Sequence, residues 1–500
     1  MGRRLYIETF GCQMNVLDTQ LVLGQLRAQG YQVVDTPDDA DIVLYNTCSV
    51  REHAEQKVWS RLGELRATKQ QRPNLVIGVI GCMAEREGTG LFRRYPHVNI
   101  LCGPAELDKL PAMLHNAVVT SAKPSDTDHV SHSGRRRQVA LMASTTRRSS
   151  TLAATDDHLE NLDLSRSVSS TDDVSQAYVR ITRGCNKFCT YCVVPYTRGP
   201  EVHRPPQNII DEVIKLADAG AREVTLLGQT VNHYAYRHPD ARVTSFADLL
   251  YRIHEATPAL PRLRFVTSFP RDFTDAALQA MRDCPRICHY LHIPAQSGSD
   301  RILKLMNRGY TARQYLDLID RAKSMMPDIS LATDFIVGFP TETEDDHRRS
   351  MDLLRYCRFK NSFIFKYSPR PGTIAIDRFE DDVPEPDKRR RNNELLAVQQ
   401  EVSAENNRQM IGKRVEVIIE GESKLTSRQA KADPSFVDLT IAGNKPAHPH
   451  LSPTVTQLIA RTRGDQIVCV DGGPFLKGQL LRVQITDSQS LTLFGKLIAD

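Results

Sequence analysis

The fold of this chain is decided by the segment Cys185-Asn-Lys-Phe-Cys189-Thr-Tyr-Cys192, which follows a predicted strand and the pair Arg183-Gly184. Three thiolates on one tight loop can hold three irons of a cubane cluster and leave the fourth iron open to a non-protein ligand. The alternative is a structural zinc site, but that takes four ligands, usually as two separated pairs, and no fourth ligand is nearby. These three cysteines, hereafter the Cys185 loop, therefore favour an open [4Fe–4S] cluster.

Outward from this loop, residues 177–407 alternate between predicted strands and helical segments. The strands lie near 177–183, 223–228, 262–268, 288–295, 329–337 and 361–367, and a polar helix follows at about 387–408. Parallel strands joined by crossover helices predict a partial (β/α)6 barrel, with reactive groups at the carboxyl ends of the strands.

Polar side chains at those strand ends are candidates for binding a cofactor or substrate. Each of them could instead satisfy nearby backbone groups, and Tyr191, between two of the cysteines, could simply cover the cluster from solvent. The candidates are Tyr191 in the Cys185 loop, Gln229 and Asn232 after the second strand, Ser268 after the third, Gln296 after the fourth and Asp334 in the fifth.

The N-terminal residues 1–118 read as an open parallel α/β domain, with apolar strands near 4–10, 41–46 and 74–80. Cys12, Cys48 and Cys82 each follow one of these strands, about one β/α unit apart, so the three thiols are expected to converge at one sheet edge. That edge is where open α/β sheets bind ligands, and three converging cysteines could hold a second cluster with a free iron. The alternative for these strand-end cysteines is ordinary buried thiols. Cys102 ends a fourth apolar stretch and is expected to be unliganded, with a role as an extra ligand as the alternative.

The remaining segments differ in composition from these two domains. Residues 119–176 hold no aromatic residue and many Ser, Thr and Asp, with two arginine clusters, which predicts a mobile linker or insertion. Residues 408–497 read as short strands with Gly and Pro turns, which favours a small all-β barrel of the oligonucleotide-binding kind. A mild basic excess there suggests contacts to backbone phosphate, with ordinary solvated charge as the alternative. The candidates are Lys424, Arg428, Arg461 and Arg463.

Composition narrows the class of protein. The net charge of +5 over 500 residues is too weak to demand a polyanionic partner, and no apolar run reaches the length of a membrane helix. The start, Met1-Gly2-Arg3-Arg4, leads straight into a strand without an apolar signal segment. Eleven cysteines, an odd and clustered set, indicate metal or redox chemistry in a reducing compartment. These features predict a cytoplasmic enzyme, and nothing in the sequence demands more than a monomer.

Beyond these patterns, the chain resembles the radical S-adenosylmethionine methylthiotransferases, most closely the MiaB type, over nearly its whole length except 119–176. The first Cys-Gln-Met-Asn phrase favours this type over relatives that act on ribosomal protein or on threonylcarbamoyladenosine. The phrases that carry the resemblance are Thr9-Phe-Gly-Cys12-Gln-Met-Asn15, Asn46-Thr-Cys48-Ser-Val-Arg51, Gly81-Cys82-Met-Ala84, Thr182-Arg-Gly-Cys185 through Cys192, Val193-Val-Pro-Tyr-Thr-Arg-Gly199, Leu227-Gly-Gln-Thr-Val-Asn232, Pro294-Ala-Gln-Ser-Gly-Ser299, Met306-Asn-Arg-Gly-Tyr-Thr311 and Thr333-Asp-Phe-Ile-Val-Gly-Phe-Pro340.

The resemblance implies an α/β architecture in which a radical-SAM barrel follows the N-terminal domain and a TRAM module, with Ile419-Glu-Gly-Glu-Ser-Lys424, ends the chain. It implies two 4Fe–4S clusters and two molecules of S-adenosylmethionine per turnover. One molecule, cleaved at the Cys185 loop, would yield the radical that removes hydrogen from C2 of an isopentenylated adenosine 3′ of the anticodon. The strand-end cysteines would hold the cluster carrying the sulfur, which the other molecule methylates. Expected partners are the tRNA anticodon stem-loop, an electron donor of flavodoxin or ferredoxin type and a sulfur source.

Two other functions remain open at this stage. The same reaction could act on threonylcarbamoyladenosine in tRNA or on an aspartate of a ribosomal protein. A different class is an RNA-binding protein whose cysteines hold structural zinc and which catalyses nothing.

Overall fold

The computed structural model describes residues 3–49, 52–121, 137–142, 159–166, 175–423 and 456–498. In these ranges, no helix combines the length and the apolar character that a bilayer-spanning segment needs. The described residues build an N-terminal sheet with helices on both faces, a central barrel of parallel strands and a small C-terminal barrel.

The N-terminal sheet has six parallel strands in the order β2-β1-β3-β4-β5-β6. Its strands are β1 (Arg4–Phe10), β2 (Gln32–Val33), β3 (Ile42–Thr47), β4 (Val76–Ile80), β5 (Ile100–Cys102) and β6 (Gln138–Ala140). Its helices are α1 (Gln13–Ala28), α2 (Glu52–Gln71), α3 (Cys82–Glu87), α4 (Leu91–Arg94) and α5 (Leu110–Ser121). The strand order reverses direction between β1 and β3, and such a switch point opens a ligand-binding crevice at the carboxyl ends of the strands.

The central strands of this sheet are apolar on both faces because helices cover both sides. Every residue of β3 and of β4 is buried. One apolar cluster packs α1 and α5 on one face, and another packs α2 on the other face. Continuous apolar runs of this kind are typical of parallel strands, and they confirm the predicted open α/β sheet.

The segment 119–176, predicted as a linker or insertion, contains two short elements that pack against the neighbouring units. Strand β6 extends the sheet beside β5, and helix α6 (Glu160–Leu164) places Leu162 in the core under α1. Asp163 on α6 is buried and pairs with Arg180 of the central barrel. Both pieces are too short and polar to carry a pattern of their own, so tertiary contacts fix them. The clustered arginines other than Arg137 lie outside the described residues.

The central barrel confirms the predicted six parallel strands. Two three-stranded sheets, ordered β13-β10-β7 and β14-β15-β16, are joined by a parallel bridge between Leu263 and Ile287. The strands of this region are β7 (Gln176–Arg180), β8 (Thr182–Arg183), β9 (Val202–His203), β10 (Glu223–Leu227), β11 (Ala235–Arg237), β12 (Val243–Ser245), β13 (Arg262–Phe265), β14 (Tyr290–His292), β15 (Ser330–Val337) and β16 (Asn361–Lys366).

Helices surround these strands, and three of them begin with capping boxes that the sequence encodes. In each box a Ser or Thr side chain accepts from the backbone three residues on, and the side chain there bonds back: Ser245 with Asp248, Thr311 with Gln314, and Thr343 with Asp346. The helices are α7 (Val194–Thr197), α8 (Pro206–Asp218), α9 (Phe246–Ala256), α10 (Asp275–Asp283), α11 (Asp300–Leu305), α12 (Ala312–Met325), α13 (Glu344–Cys357), α14 (Ile374–Arg378) and α15 (Glu385–Arg408).

The C-terminal strands close into a five-stranded barrel in the order β17-β18-β19-β21-β20. They are β17 (Arg414–Glu422), β18 (Thr456–Thr462), β19 (Ile467–Gly472), β20 (Leu480–Ser488) and β21 (Thr492–Leu497). Alternate residues, such as Val417 and Ile419, face a shared apolar core. The predicted small all-β barrel is confirmed.

The C-terminal barrel packs against the amino ends of the central strands. Arg262, the first residue of β13, is fully buried and donates to the backbone oxygens of Glu416 at 2.9 Å and of Arg461 at 3.0 Å. Lys360, just before β16, pairs with Asp465. The C-terminal barrel therefore lies at the end of the central barrel opposite to the carboxyl ends of its strands.

Candidate active site

The Cys185 loop follows β7 and β8 at the carboxyl end of the central barrel. Gly184 has φ +67°, and a Cβ there would collide with the backbone oxygen of Pro200, so only glycine fits before Cys185. Inside the loop, the Cys192 amide donates to the Cys189 carbonyl at 3.0 Å. The backbone thus holds the three thiols together on one short turn.

Burial makes the thiols of Cys185 and Cys192 poor acids on their own. Burial, the charge of Cys189 and other neighbours raise the pKa of Cys192 to about 12, and burial also raises the pKa of Cys185. Three clustered thiolates in an apolar setting are stable only beside a cation that offsets their charge. The donor set and its surroundings therefore fit an iron–sulfur cluster held by Cys185, Cys189 and Cys192.

Arg308 is a functional candidate that the sequence analysis did not identify. Its guanidinium donates to Cys189 Sγ at 3.3 Å, to the Tyr191 hydroxyl at 3.3 Å and to the Pro294 carbonyl at 3.1 Å. It also lies 4.5 Å from the centre of the Phe269 ring. A buried cation beside a cluster ligand stabilises negative charge there. The phrase Met306-Asn-Arg-Gly-Tyr-Thr311 was the available signal, but spacing alone gives no role to its arginine.

The strand-end cysteines converge at the switch point between β1 and β3. Gly11 has φ +136°, and a Cβ at this position would collide with Cys48, so glycine allows β1 and β3 to bring Cys12 and Cys48 together. Cys12 is the residue before α1, and its carbonyl accepts from the amides of Asn15 and Val16. Its thiol donates to Asn15 Oδ1 at 3.1 Å.

The thiol of Cys12 is more acidic than that of Cys82. A hydrogen bond from Cys48, the charge of Arg198 and backbone amides at the start of α1 lower the pKa of Cys12 to about 6, against the effect of burial. Burial raises the pKa of Cys82, while Arg198 opposes that rise by its charge and a hydrogen bond. A thiolate ready at neutral pH beside two further thiols fits a metal-binding donor set.

The two cysteine sets lie close to one another. Helix α3, which begins at Cys82, packs against α7, which begins two residues after Cys192. Arg198, next to the Cys185 loop, bonds to Cys82 and donates to Asp18 of α1 at 2.9 Å. The edge of the N-terminal sheet therefore faces the carboxyl end of the central barrel.

Two predicted polar residues present unsatisfied atoms at this end of the barrel. Ser268 Oγ and Gln296 Oε1 are buried and have no hydrogen-bond partner among the described residues. Gln296 adopts φ +68° and Thr267 φ +72°, a left-handed backbone that non-glycine residues rarely adopt. Buried polar atoms without partners fit a polar cofactor such as S-adenosylmethionine.

The other predicted cofactor residues differ in their surroundings. Both ends of the Asn232 amide bond the backbone of Phe269, at 2.7 and 2.9 Å, so Asn232 positions the turn that holds Ser268 rather than offering a free amide. Asp334 lies 3.1 Å from His292 Nε2, and His292 is a neighbour that the sequence did not indicate. Gln229 is partly buried after β10. Tyr191 packs over the loop and bonds Arg308, as described above.

The predicted phosphate-binding residues are not gathered on a free surface. Arg461 pairs with Glu420 and Asp465, and Arg463 donates to the Ile287 carbonyl at 3.1 Å, so both lie where the two barrels meet. Their contacts do not support the predicted role, because the guanidinium groups are already bonded. Lys424 and Arg428 lie outside the described residues.

Cys102 ends β5 beside β4, and its carbonyl accepts from the amide of Gly81, the residue before Cys82, at 2.9 Å. Its thiol is fully buried and donates to the Glu106 carbonyl at 3.2 Å. Burial raises the pKa of this thiol.

Comparison with known proteins agrees with this geometry. Residues 4–103 match the model described as Uncharacterized protein family UPF0004, and residues 179–354 match the Radical SAM superfamily. A solved structure of the radical S-adenosylmethionine methyltransferase TsrM from Kitasatospora setae has a TM-score of 0.47 and 14% identity, covering 75% of this chain and 77% of that chain.

Curated relatives match over almost the whole chain. The protein named tRNA-2-methylthio-N(6)-dimethylallyladenosine synthase in Rhodopirellula baltica is 46% identical, over 99% of this chain and 96% of its own length. Proteins of the same name in Bacteroides thetaiotaomicron and Neisseria meningitidis are 39% and 37% identical, over 99% of this chain and 96% and 99% of their own lengths. The chain therefore belongs to the tRNA-2-methylthio-N(6)-dimethylallyladenosine synthase family, whose members are radical S-adenosylmethionine enzymes with a [4Fe–4S] cluster.

Proposed function

We propose that this protein converts N6-isopentenyladenosine at position 37 of tRNA, 3′ of the anticodon, to its 2-methylthio derivative. The Cys185 loop would hold one 4Fe–4S cluster, which would supply the electron for cleavage of S-adenosylmethionine. The strand-end cysteines would hold a second 4Fe–4S cluster, and each turnover would use two molecules of S-adenosylmethionine. When bound, these groups supply electron transfer, radical generation and the sulfur and methyl groups.

The observation that carries this proposal is the packing of α3, which begins at Cys82, against α7, which follows the Cys185 loop. A methylthiolation needs the adenine carbon to meet first a hydrogen-abstracting centre and then a sulfur carrier. Two donor sets that face one another allow both to reach the same base without moving the RNA.

Side chains of this protein stabilise the thiolates of both cysteine sets and offer polar contacts to the cofactor. Arg308 offsets thiolate charge at Cys189, and Arg198 does the same at Cys82. Ser268 and Gln296 supply buried polar atoms for the cofactor. The apolar core beneath the loop excludes water from the reacting groups.

Each of the three units of the chain has its own role in the proposed reaction. Residues 1–118 carry the second cluster, residues 177–407 form the radical core and residues 408–497 contact the tRNA backbone near the anticodon stem-loop. A flavodoxin or ferredoxin type of electron donor and a separate sulfur source complete the reaction.

The test is anaerobic incubation of the reconstituted protein with S-adenosylmethionine, dithionite and isopentenylated tRNA, followed by mass spectrometry of the digested nucleosides. We expect a methylthio product from the unaltered chain. Cys185→Ala should abolish both 5′-deoxyadenosine and product. Cys48→Ala should abolish the product while 5′-deoxyadenosine still forms.

The matched control is Cys469→Ala, because Cys469 lies in the C-terminal barrel, away from both sets, and should keep full activity. Product formed only on threonylcarbamoylated tRNA or on ribosomal protein would contradict the proposed acceptor. Zinc in place of iron after anaerobic purification would contradict the proposed chemistry altogether.

A further inference from the structure

Two histidines and a glutamate form a cluster beside the Cys185 loop that belongs to neither cysteine set. Glu201 precedes β9, and His203 is the last residue of β9, in the segment that leaves the loop. His233 lies in the turn after β10. The Glu201 amide donates to Asn186 Oδ1 at 3.2 Å, which ties this cluster to the backbone of the loop.

The ligand atoms of the three side chains converge. Glu201 Oε2 lies 2.7 Å from His233 Nδ1, and Glu201 Oε1 lies 3.7 Å from His203 Nε2. All three offered atoms lie within 4.8 Å of one another, a spacing at which one ion can contact each of them.

Hydrogen bonds behind the cluster orient its members. His203 Nδ1 lies 2.8 Å from the Ala235 carbonyl and 3.0 Å from the Ala235 amide, which leaves Nε2 facing Glu201. Glu201 Oε1 accepts from Thr230 Oγ1 at 2.8 Å. Backbone contacts at the second ring nitrogen commonly orient a metal-binding histidine.

The local charge also favours a cation. The Glu201 side chain is 2% exposed, so the carboxylate of this set is largely removed from solvent. The nearby Lys187 pairs with Asp272, which offsets its charge. The His233 side chain is 41% exposed, so a bound ion keeps one side open to solvent.

We propose that Glu201, His203 and His233 form a binding site for a divalent zinc ion. Two imidazoles, one carboxylate and an open fourth position match the donor sets of three-ligand zinc sites. The ion would clamp the end of the Cys185 loop to the turn after β10. This inference does not depend on the proposed reaction.

The test uses the full chain with both clusters reconstituted, so that the six cluster cysteines are occupied. After addition of one equivalent of zinc sulfate and desalting, zinc and iron are counted by mass spectrometry, and the zinc site is read by X-ray absorption. We expect about one retained zinc with nitrogen and oxygen neighbours at about 2.0–2.1 Å and no sulfur shell at about 2.3 Å.

Variants separate this site from other histidines. His233→Ala changes a half-exposed side chain and should lose the zinc without loss of iron, as should Glu201→Gln. His238→Ala is the matched control, because His238 bonds Thr244 outside the cluster and should keep the zinc. No retained zinc, a zinc–sulfur shell, or zinc retained in both His233→Ala and Glu201→Gln would overturn the proposal.

Discussion

Asp18 on α1 accepts a hydrogen bond from Arg198 at 2.9 Å, across the boundary between the N-terminal sheet and the central barrel. Arg180 of β7 donates to the other carboxylate oxygen at 3.0 Å. The Asp18 side chain is 0% exposed, so one buried carboxylate joins two arginines of the neighbouring unit. The same Arg198 contacts Cys82, which links the alignment of the two units to the position of a cluster cysteine.

Asp18→Asn should weaken this boundary by about 3–5 kcal/mol, because it leaves buried guanidinium charge without its partner. Urea unfolding of the full chain measures the loss. Asp317→Asn is the control, since its partner Arg313 is 84% exposed and such pairs contribute under about 1 kcal/mol. Equal losses in both variants would contradict the role assigned to Asp18.

Gly184→Ala should prevent the Cys185 loop from closing, because the added Cβ collides with the Pro200 carbonyl. We expect the reconstituted variant to lose about half of its iron, the share of one of two clusters. Gly220→Ala is the matched control, with φ +101° but open space around its Cβ, and should keep its iron. Full iron in Gly184→Ala would show that the turn tolerates a side chain.

Cys12 should be reactive at lower pH than other cysteines in cluster-free protein. Its pKa is lowered to about 6, so the thiolate exists above that pH, and alkylation by iodoacetamide should rise through pH 6 and level off by about pH 7. Cys48→Ala removes the hydrogen bond and should move the midpoint toward the ordinary value of about 8.5. Cys469, whose pKa is raised by burial, is the internal reference and should react only at alkaline pH.

Arg308→Met should lower the reduction potential of the cluster on the Cys185 loop. Removing a unit charge about 5 Å away at an effective dielectric of about 20 changes the potential by on the order of 100 mV. Redox titration followed by electron paramagnetic resonance measures this shift. Arg308→Lys keeps the charge and should shift the potential less, whereas equal shifts in the two variants would point to packing instead of charge.

Arg461→Gln and Arg463→Gln should lower the thermal stability of the protein and leave the salt dependence of tRNA binding unchanged. Arg461 is paired within the C-terminal barrel, and Arg463 joins it to the central barrel, so the thermal midpoint should fall. The slope of log affinity for tRNA against log salt should stay the same, since each lost phosphate contact would reduce it by about 0.7–0.9. A reduced slope with an unchanged midpoint would restore the phosphate-binding role.

The fold was largely predictable because its strands are long enough to show a pattern. The buried runs of β3 and β4 and the capping box at Thr311 are local signals that survive in the folded chain. The order of α6 could not be predicted, since the five-residue helix is held by burial of Leu162 and by the pairing of Asp163 with Arg180. These contacts form only in the folded protein, so no local sequence pattern indicates them.

The candidate site, like the fold, could be predicted only in part from the sequence. The cysteines could be recognised because three thiols that each follow a parallel strand are seldom a coincidence. The carboxyl ends of parallel strands lie at one sheet edge, so the three thiols were expected to converge there. Arg308 received no role and Asn232 was assigned to the cofactor, because an arginine or an amide serves equally well to bind a ligand or to bond a backbone group. The sequence suggested a phosphate contact for Arg463, but this arginine joins the two barrels. An arginine can serve either purpose, so the residue type alone does not distinguish them.

The C-terminal barrel packs against the amino ends of the central strands. The height of the central barrel therefore separates the C-terminal barrel from the Cys185 loop. Strand β15 alone has eight residues, about 26 Å of extended chain. A nucleic acid that touches the C-terminal barrel must run along the outside of the central barrel before one of its bases reaches the cysteines. With the proposed RNA contact at the C-terminal barrel, we expect a folded stem-loop to be a better substrate than free nucleosides or very short oligonucleotides, which are too short to reach both ends.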